Sequence, residues 1–360
     1  MDLLKKIVKL VLAAVIYYSG MLALFSIVKR LITHEDKFII LMYHRILNDD
    51  EKHKADIQAG ISITRSTFDK HMQFIAKHYQ ILSLEKLTDV LLNKQPFPRK
   101  TAVVTFDDGW RDNYINGLPI FKKHGIPAMI FLATDLIEAN ELPPFIEVSL
   151  LLGEGDLWRE KAVKIFKKAV HDHGLEQSIE GFSGADLDLI ESSTMQFMIA
   201  VSKLDTEHIK LIADELKKES GLNLEDWENR RWMLNRDEIR EMNQQGIDFG
   251  SHGQSHDIMT EISRDQVRRE LIESKKYIEA IIEKPVLFFA YPVGFCNDEI
   301  KNLVRDTGYR GAAAIHGCGK NEKQPDLYAL KRIGTHEGTA AGPAGGFSRA
   351  IFACNLEKIF

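Results

Sequence analysis

Residues 10–28, LVLAAVIYYSGMLALFSIV, run for nineteen positions without a charge, and Lys5, Lys6 and Lys9 before them and Lys29 and Arg30 after them form basic flanks. At 1.5 Å per residue such a run makes about 28 Å of helix, close to the thickness of a bilayer's hydrocarbon core. It predicts an N-terminal transmembrane helix within residues 1–30, kept as a membrane anchor, because no A-x-A cleavage site follows it. The heavier basic flank precedes the span, so the rest of the chain is expected on the extracytoplasmic side.

Past residue 31 the pattern changes to short apolar runs separated by segments of helical period. FIILM (38–42), TAVVTF (101–106), AMIFLA (128–133), IDFG (247–250), VLFFAY (286–291), GAAAI (311–315) and LYALKRI (327–333) are strand candidates. Residues 68–76, 84–92, 236–245 and 264–283 place apolar side chains at the three- and four-residue spacing of a helix face. This α/β alternation, with roughly seven or eight strands, predicts a mainly parallel sheet covered by helices, as a barrel or an open layer. Chemistry is then expected at the carboxyl ends of strands. Residues 134–232 interrupt the alternation with helical patterns at 158–170 and 206–218, and are expected to be a helical insertion in a catalytic domain spanning 31–360.

The 44% hydrophobic content over 360 residues can fill such a core. With 47 basic against 52 acidic residues and a net charge of −5, the chain lacks the basic surplus of a nucleic-acid binder, so no nucleic-acid partner is expected. Cys296, Cys318 and Cys354 are too few and too scattered for a disulfide framework.

Two strand ends carry candidate chemistry. TAVVTF runs into Asp107, Asp108 and Gly109, and side-chain alternation there lets one carboxylate bind a cation while the other handles a proton. IDFG runs into SHGQSH, where His252 and His256 stand four residues apart and can converge on one ion. Two imidazoles and one carboxylate leave a coordination position open for water, the arrangement of hydrolytic centres built on Zn2+ or another first-row divalent ion. The glutamate of a metalloprotease HExxH is missing, since Gly253 stands there. His336, in LKRIGTHEG, follows a strand candidate and is a candidate general acid, while His44 ends the first strand and is expected to make a local hydrogen bond.

YHRI (43–46), TFDDG (105–109), HGIPAMIFLAT (124–134), SHGQSH (251–256) and YPVG (291–294), in that order, resemble the polysaccharide deacetylase family, the carbohydrate esterases with the nodulation-protein deacetylase homology domain. The resemblance covers roughly residues 38–335 outside much of the insertion. It implies a distorted (β/α)7-8 barrel and a hydrolase that removes N-acetyl groups from an amino-sugar glycan, a cell-envelope or secreted polysaccharide. By motif, Asp107 is implied as base, His336 as acid, and Asp108, His252 and His256 as ligands of one divalent metal, Zn2+ first with Co2+ or Ni2+ as alternatives. Trp110 and Tyr291 are implied beside the substrate, with the Trp110 amide at the oxyanion. The expected partners are an acetylated amino-sugar glycan and, through the N-terminal helix, a membrane. Deacylation of a lipid-linked sugar or O-acetyl ester, and glycan binding without catalysis, are the alternatives. Three departures stand out: Ala290 where many relatives carry an arginine that braces the catalytic aspartate, Gly253 in place of a hydroxyl residue, and no aspartate–tryptophan element behind the acid.

Overall fold

The structure, a computed structural model, describes residues 2–33, 38–51, 61–97, 100–137, 156–175, 206–220, 231–315 and 325–360, with positions 142, 147, 148, 151, 201 and 204. The N-terminal apolar run does not form one helix. Helices α1 (Asp2–Tyr18) and α2 (Met21–Thr33) meet at a bend of 74°. Gly20, at the break, takes φ +82°, the left-handed conformation that ends helices and that glycine adopts without a Cβ penalty. The expected single transmembrane helix is therefore corrected to a bent pair. Among the described residues no single helix is long and apolar enough to cross a membrane, although the pair passes that test together by length and composition.

After the pair come β1 (Phe38–Tyr43), β2 (Arg45–Leu47), β3 (Ser62–Thr64) and α3 (Arg65–His78). Then follow β4 (Gln80–Ile81), α4 (Leu84–Leu92), β5 (Thr101–Phe106), α5 (Leu118–His124) and β6 (Met129–Leu132). Two helices, α6 (Asp156–Asp172) and α7 (Thr206–Ser220), lie in a second compact unit that takes in residues 138–232 and has its own core around Phe166, Ile212 and Leu216. The first unit resumes with α8 (Arg236–Gln244), β7 (Asp248–Ser251), α9 (Arg264–Ile282), β8 (Phe288–Ala290), α10 (Asp298–Asp306), β9 (Gly311–Ala314), β10 (Leu330–Lys331), β11 (Ile333–Gly334) and α11 (Arg349–Leu356). Hydroxyl and amide side chains start these helices: Thr64, Ser83, Asn297 and Ser348 each accept a backbone N–H at a helix start, and Asn235 and Ser263 form reciprocal capping boxes.

The main sheet is parallel throughout, in the order β10-β9-β8-β7-β6-β5-β1-β11, with β4 alongside β5. All six residues of β5 are buried, as a strand covered on both faces requires, which is why it reads as a continuous apolar run. The two edge strands β10 and β11 are halves of one segment, joined by Arg332 alone. Leu330 and Lys331 pair with β9, while Ile333 and Gly334 pair with β1. The sheet thus curls until a single bent segment serves both edges, giving a near-closed parallel barrel wrapped by helices. Its aromatic packing around Tyr43, Phe68, Phe106 and Phe121 fixes β1 and β5 against α3 and α5.

Candidate metal centre

β5 delivers Asp107 and Asp108 at its carboxyl end, where the Asp107 N–H still donates to the Tyr43 carbonyl at 3.0 Å. The chain then leaves the sheet abruptly, with Asp108 at φ 74° and Gly109 at φ 89°. A left-handed backbone at a non-glycine residue costs on the order of 1 kcal/mol or more, and aspartate tolerates it better than most. At Gly109 a Cβ would stand 2.8 Å from Leu132 Cδ2, so this turn needs glycine on two counts. β7 delivers His252, whose N–H donates to the Leu132 carbonyl at 2.8 Å, and the following loop returns to His256 at φ 67°.

These turns converge three buried or nearly buried groups. Asp108 Oδ1 lies 3.6 Å from His252 Nε2 and 3.4 Å from His256 Nε2. Two ligands each about 2.0–2.1 Å from a tetrahedral ion stand about 3.3 Å apart, so the spacing fits a first-row divalent ion. Two further observations fit. Asp108 Oδ1 is a buried oxygen with no hydrogen-bond partner, while its mate Oδ2 accepts from the Trp110 indole at 2.9 Å. His252 Nδ1 lies 2.7 Å from the Ala290 carbonyl, which can only accept, so Nδ1 carries the hydrogen and Nε2 turns a lone pair toward Asp108. Burial lowers the His252 pKa to about 4, keeping the ring neutral near pH 7. Burial opposes ionisation of Asp108, but the imidazoles beside it hold its carboxyl below the usual carboxylate range. For His256, burial is outweighed by the Asp108 carboxylate, and its pKa is raised.

Asp107 points elsewhere. Its two oxygens take a bidentate ion pair from Arg332, at 2.6 and 2.7 Å, and the guanidinium is fully buried. Burial alone would raise the Asp107 pKa, yet Arg332, with His252 and His44, lowers it. Ala290, the position that lacks the family's arginine, sits buried on β8 and contributes only its carbonyl to His252. Arg332 therefore supplies from the barrel seam the guanidinium that Ala290 cannot. Its signal was present in LKRIGTHEG, where strand alternation turns Lys331 and Arg332 to opposite faces and only one can point inward. Lys331 is exposed and Arg332 is buried.

Several other positioning groups have no local sequence signature. Arg45 lies with its guanidinium carbon 4.6 Å from the centre of the Trp110 ring and is paired to Asp112 at 3.0 Å, so a buried ion pair stacks on the indole that holds Asp108. Glu270 of α9 reaches into the histidine loop, where Oε2 accepts from the N–H groups of Gln254 (2.6 Å) and Ser255 (3.2 Å) and Oε1 from the Ser255 hydroxyl (3.1 Å). Gly253 has φ +84°, and a Cβ there would stand 2.9 Å from Glu270 Oε2 and 3.0 Å from Met259 Cε. The space a hydroxyl residue would use is occupied by the glutamate.

The pairing of Met42 with Thr105 and with Gly334, extended by two residues, sets His44, Asp107 and His336 level at the ends of β1, β5 and β11. His336 accepts the Gly338 N–H at Nδ1 (3.2 Å) and is partly buried, which lowers its pKa. The expectation that Tyr291 contacts substrate is corrected: its side chain is fully buried, its hydroxyl donates to the Tyr328 carbonyl at 2.8 Å and its N–H to the Ala313 carbonyl at 3.1 Å. A phenol so engaged belongs to the core, where it packs edge-on against Phe289.

Against known proteins, the family model described as polysaccharide deacetylase matches residues 94–177 and 195–312, more than half of the chain. The chain belongs to the polysaccharide deacetylase family. YxkH of Bacillus subtilis, named as a polysaccharide deacetylase, is 20% identical over 317 residues, which cover 88% of this chain and 77% of that protein. The poly-β-1,6-N-acetyl-D-glucosamine N-deacetylase of Staphylococcus epidermidis is 23% identical over 266 residues, 71% of this chain and 86% of the relative. Among solved structures, the Streptococcus pyogenes deacetylase PplD in complex with acetate superposes with a TM-score of 0.52 at 19% identity, covering 86% of this chain and 95% of the other. The de-N-acetylase of Aggregatibacter actinomycetemcomitans gives 0.52 at 16% identity, covering 89% and 99%. At such identities these two structures share the fold, and the family's barrel is the one formed here.

Proposed function

We propose that this deacetylase removes N-acetyl groups from an amino-sugar polymer of the cell envelope or of secreted material, using one divalent metal ion. The observation that carries the proposal is the convergence of Asp108, His252 and His256 around an unpartnered buried oxygen, beside a carboxylate kept ionised by Arg332. The polymer class rests on family membership and on the Staphylococcus relative, whose named substrate is poly-β-1,6-N-acetyl-D-glucosamine.

Asp108 Oδ1 and the two Nε2 atoms would hold the ion, Zn2+ first by donor set, with Co2+ and Ni2+ also compatible. When bound, the ion supplies Lewis acidity and lowers the pKa of water. The remaining work falls to the chain. Asp107, held as a carboxylate, takes the proton of the attacking water while Arg332 fixes the direction of its oxygens. The Trp110 main-chain amide, two residues past Asp108 and three before Asn113, is assigned to the oxyanion as the acetyl carbon becomes tetrahedral. The C–N bond then breaks with protonation of the sugar nitrogen, and His336, level with Asp107, is assigned to deliver that proton. Protonating its ring costs the Gly338 hydrogen bond at Nδ1, so the imidazolium is short-lived and donates readily.

Acetate release from an N-acetylglucosamine oligomer tests the reading. Activity is expected to vanish with a chelator, return with Zn2+, Co2+ or Ni2+, and fall by about 10²-fold or more in Asp107→Ala. Unchanged turnover in that variant would sink the mechanism. Turnover confined to O-acetylated sugars would replace the substrate.

A further inference from the structure

Thirteen of the sixteen large apolar side chains that stand exposed among the described residues lie between positions 3 and 28. On α1 they fall at 3, 4, 7, 8, 11, 12, 15 and 18, one continuous stripe along the helix, with Val8 49%, Val15 53% and Tyr18 72% exposed. Over residues 21–28 of α2, only Leu22 and Ser26, one turn apart, are buried, and Leu24 and Ile27 stand 62% and 56% exposed. Monomers seldom expose apolar patches beyond a few hundred Å², and more than a dozen half-exposed large side chains on two adjoining helices surpass that.

The opposite face of the pair is fastened to the barrel. Ala13 is fully buried and its carbonyl lies 4.0 Å from the Cys354 thiol on α11. The Ser26 hydroxyl donates to Glu357 Oε1 at 3.2 Å, and the same carboxylate takes Lys100 at 2.5 Å. The ammonium of Lys9 sits 5.1 Å from the centre of the Phe360 ring. Lys100 immediately precedes β5, so this seat lies at the amino end of the strands, opposite Asp107 and Asp108. A span standing clear of the barrel would have neither the bend nor these ties.

The charges say what covers the free face. Lys5 and Lys6 are exposed and the stripe holds no acidic residue. At 100° per residue Lys5 lies about 20° round the helix from Leu12, at one rim of the stripe, and Lys6 lies beyond Leu3 at the other. Apolar side chains with lysines at both rims match a bilayer, whose acyl region takes the stripe while the ammonium groups reach anionic headgroups.

We propose that α1 and α2 form an in-plane membrane seat, docking the barrel on an anionic phospholipid surface through one face of the bent pair without crossing it. The metal centre, at the far end of the strands, stays open to water.

The full chain is to be mixed with preformed phosphatidylcholine vesicles, with and without phosphatidylglycerol, and sedimented. Binding to the anionic vesicles is expected, weakened by high salt, and reduced about tenfold or more in Val8→Asp/Leu24→Asp. Both positions are exposed, and an unchanged thermal midpoint checks the fold. Lys5→Gln/Lys6→Gln, a change in charge alone, is expected to bring anionic binding down toward the neutral-vesicle level. With cysteine placed at Leu3 in one variant and at Val28 in another, an impermeant maleimide is expected to label both from outside the vesicles. Absence of vesicle binding, full binding by the Asp variant, or protection of one labelled end would overturn the proposal. So would a stoichiometric dimer abolished by Val8→Asp, since a second copy would then cover the face.

Discussion

Asp107 is pulled two ways, by burial that favours its neutral acid and by a guanidinium that favours its carboxylate, and the guanidinium wins. Its folded pKa is depressed, so ionised Asp107 persists to low pH and is lost only as pH falls through that depressed value. Removing Arg332 leaves burial unopposed by its main partner. In Arg332→Ala the acid limb of the kcat/KM profile is expected to move up by about a unit or more, each unit being about 1.4 kcal/mol. Arg332→Lys, which keeps a charge but loses the two-pronged contact, is expected to fall between. An unmoved limb in both would show that Arg332 only closes the barrel. For His336→Gln the expectation is a kcat lower by about 10²-fold or more with metal uptake unchanged, measured by metal titration.

Each site residue sits where an element ends, and its aim depends on a neighbouring element. The loop between β7 and α9 is the clearest case: Glu270, on the first turns of α9, holds the amides between the two histidines. Outer groups of this kind typically change metal affinity by about 10–100-fold when lost, and Glu270→Ala is expected to do so in a competition titration with a chromogenic chelator. Gly253→Ser is expected to weaken metal binding too, because its Cβ meets Glu270 Oε2 at a φ of +84°. Gly253→Ser/Glu270→Ala is expected to lose less than the sum of the singles, since removing the glutamate opens the space. Strict additivity would mean the two residues act separately. The strand ends and the histidine spacing were legible locally, because alternation and a four-residue step are properties of a few neighbours. The partners of Glu270 and Arg332 were not, since each is met across another element: alternation can turn Arg332 inward, but the carboxylate it meets, Asp107, stands 225 positions away.

At the scale of the whole barrel, buried histidine makes stability depend on pH. His71 lies on α3, stacked on Phe352 with ring centroids 4.0 Å apart and bonded through Nδ1 to the Tyr43 hydroxyl at 3.1 Å. Burial, and then the nearby His336, lower its pKa from 6.5 to about 3. The unfolded chain therefore binds a proton on the way from pH 6.5 to about 3 that the folded chain refuses, and stability falls with pH across that window. One such group costs about 2 kcal/mol between pH 6.5 and about pH 5. His71→Phe, which keeps the stacking, is expected to lose less of its thermal midpoint between about pH 7 and about pH 5 than the parent chain. Equal losses would place the sensitivity elsewhere.

Composition, strand alternation and motif order by themselves determined an α/β chain whose chemistry gathers at strand ends, and the pattern of TFDDG and SHGQSH singled out four side chains, three of which, Asp108, His252 and His256, the barrel then brings together. These are local properties: apolar period, turn residues and side-chain spacing act over a few positions. Tertiary structure alone decided that Arg332 bridges both edges of the sheet and braces Asp107. It decided too that Tyr291 serves the core and not the substrate. The N-terminal run shows the same division. Its apolar length was plain in the sequence, but the face it buries is set by the surface around α11 more than three hundred residues away, where Ala13 and Ser26 find their partners.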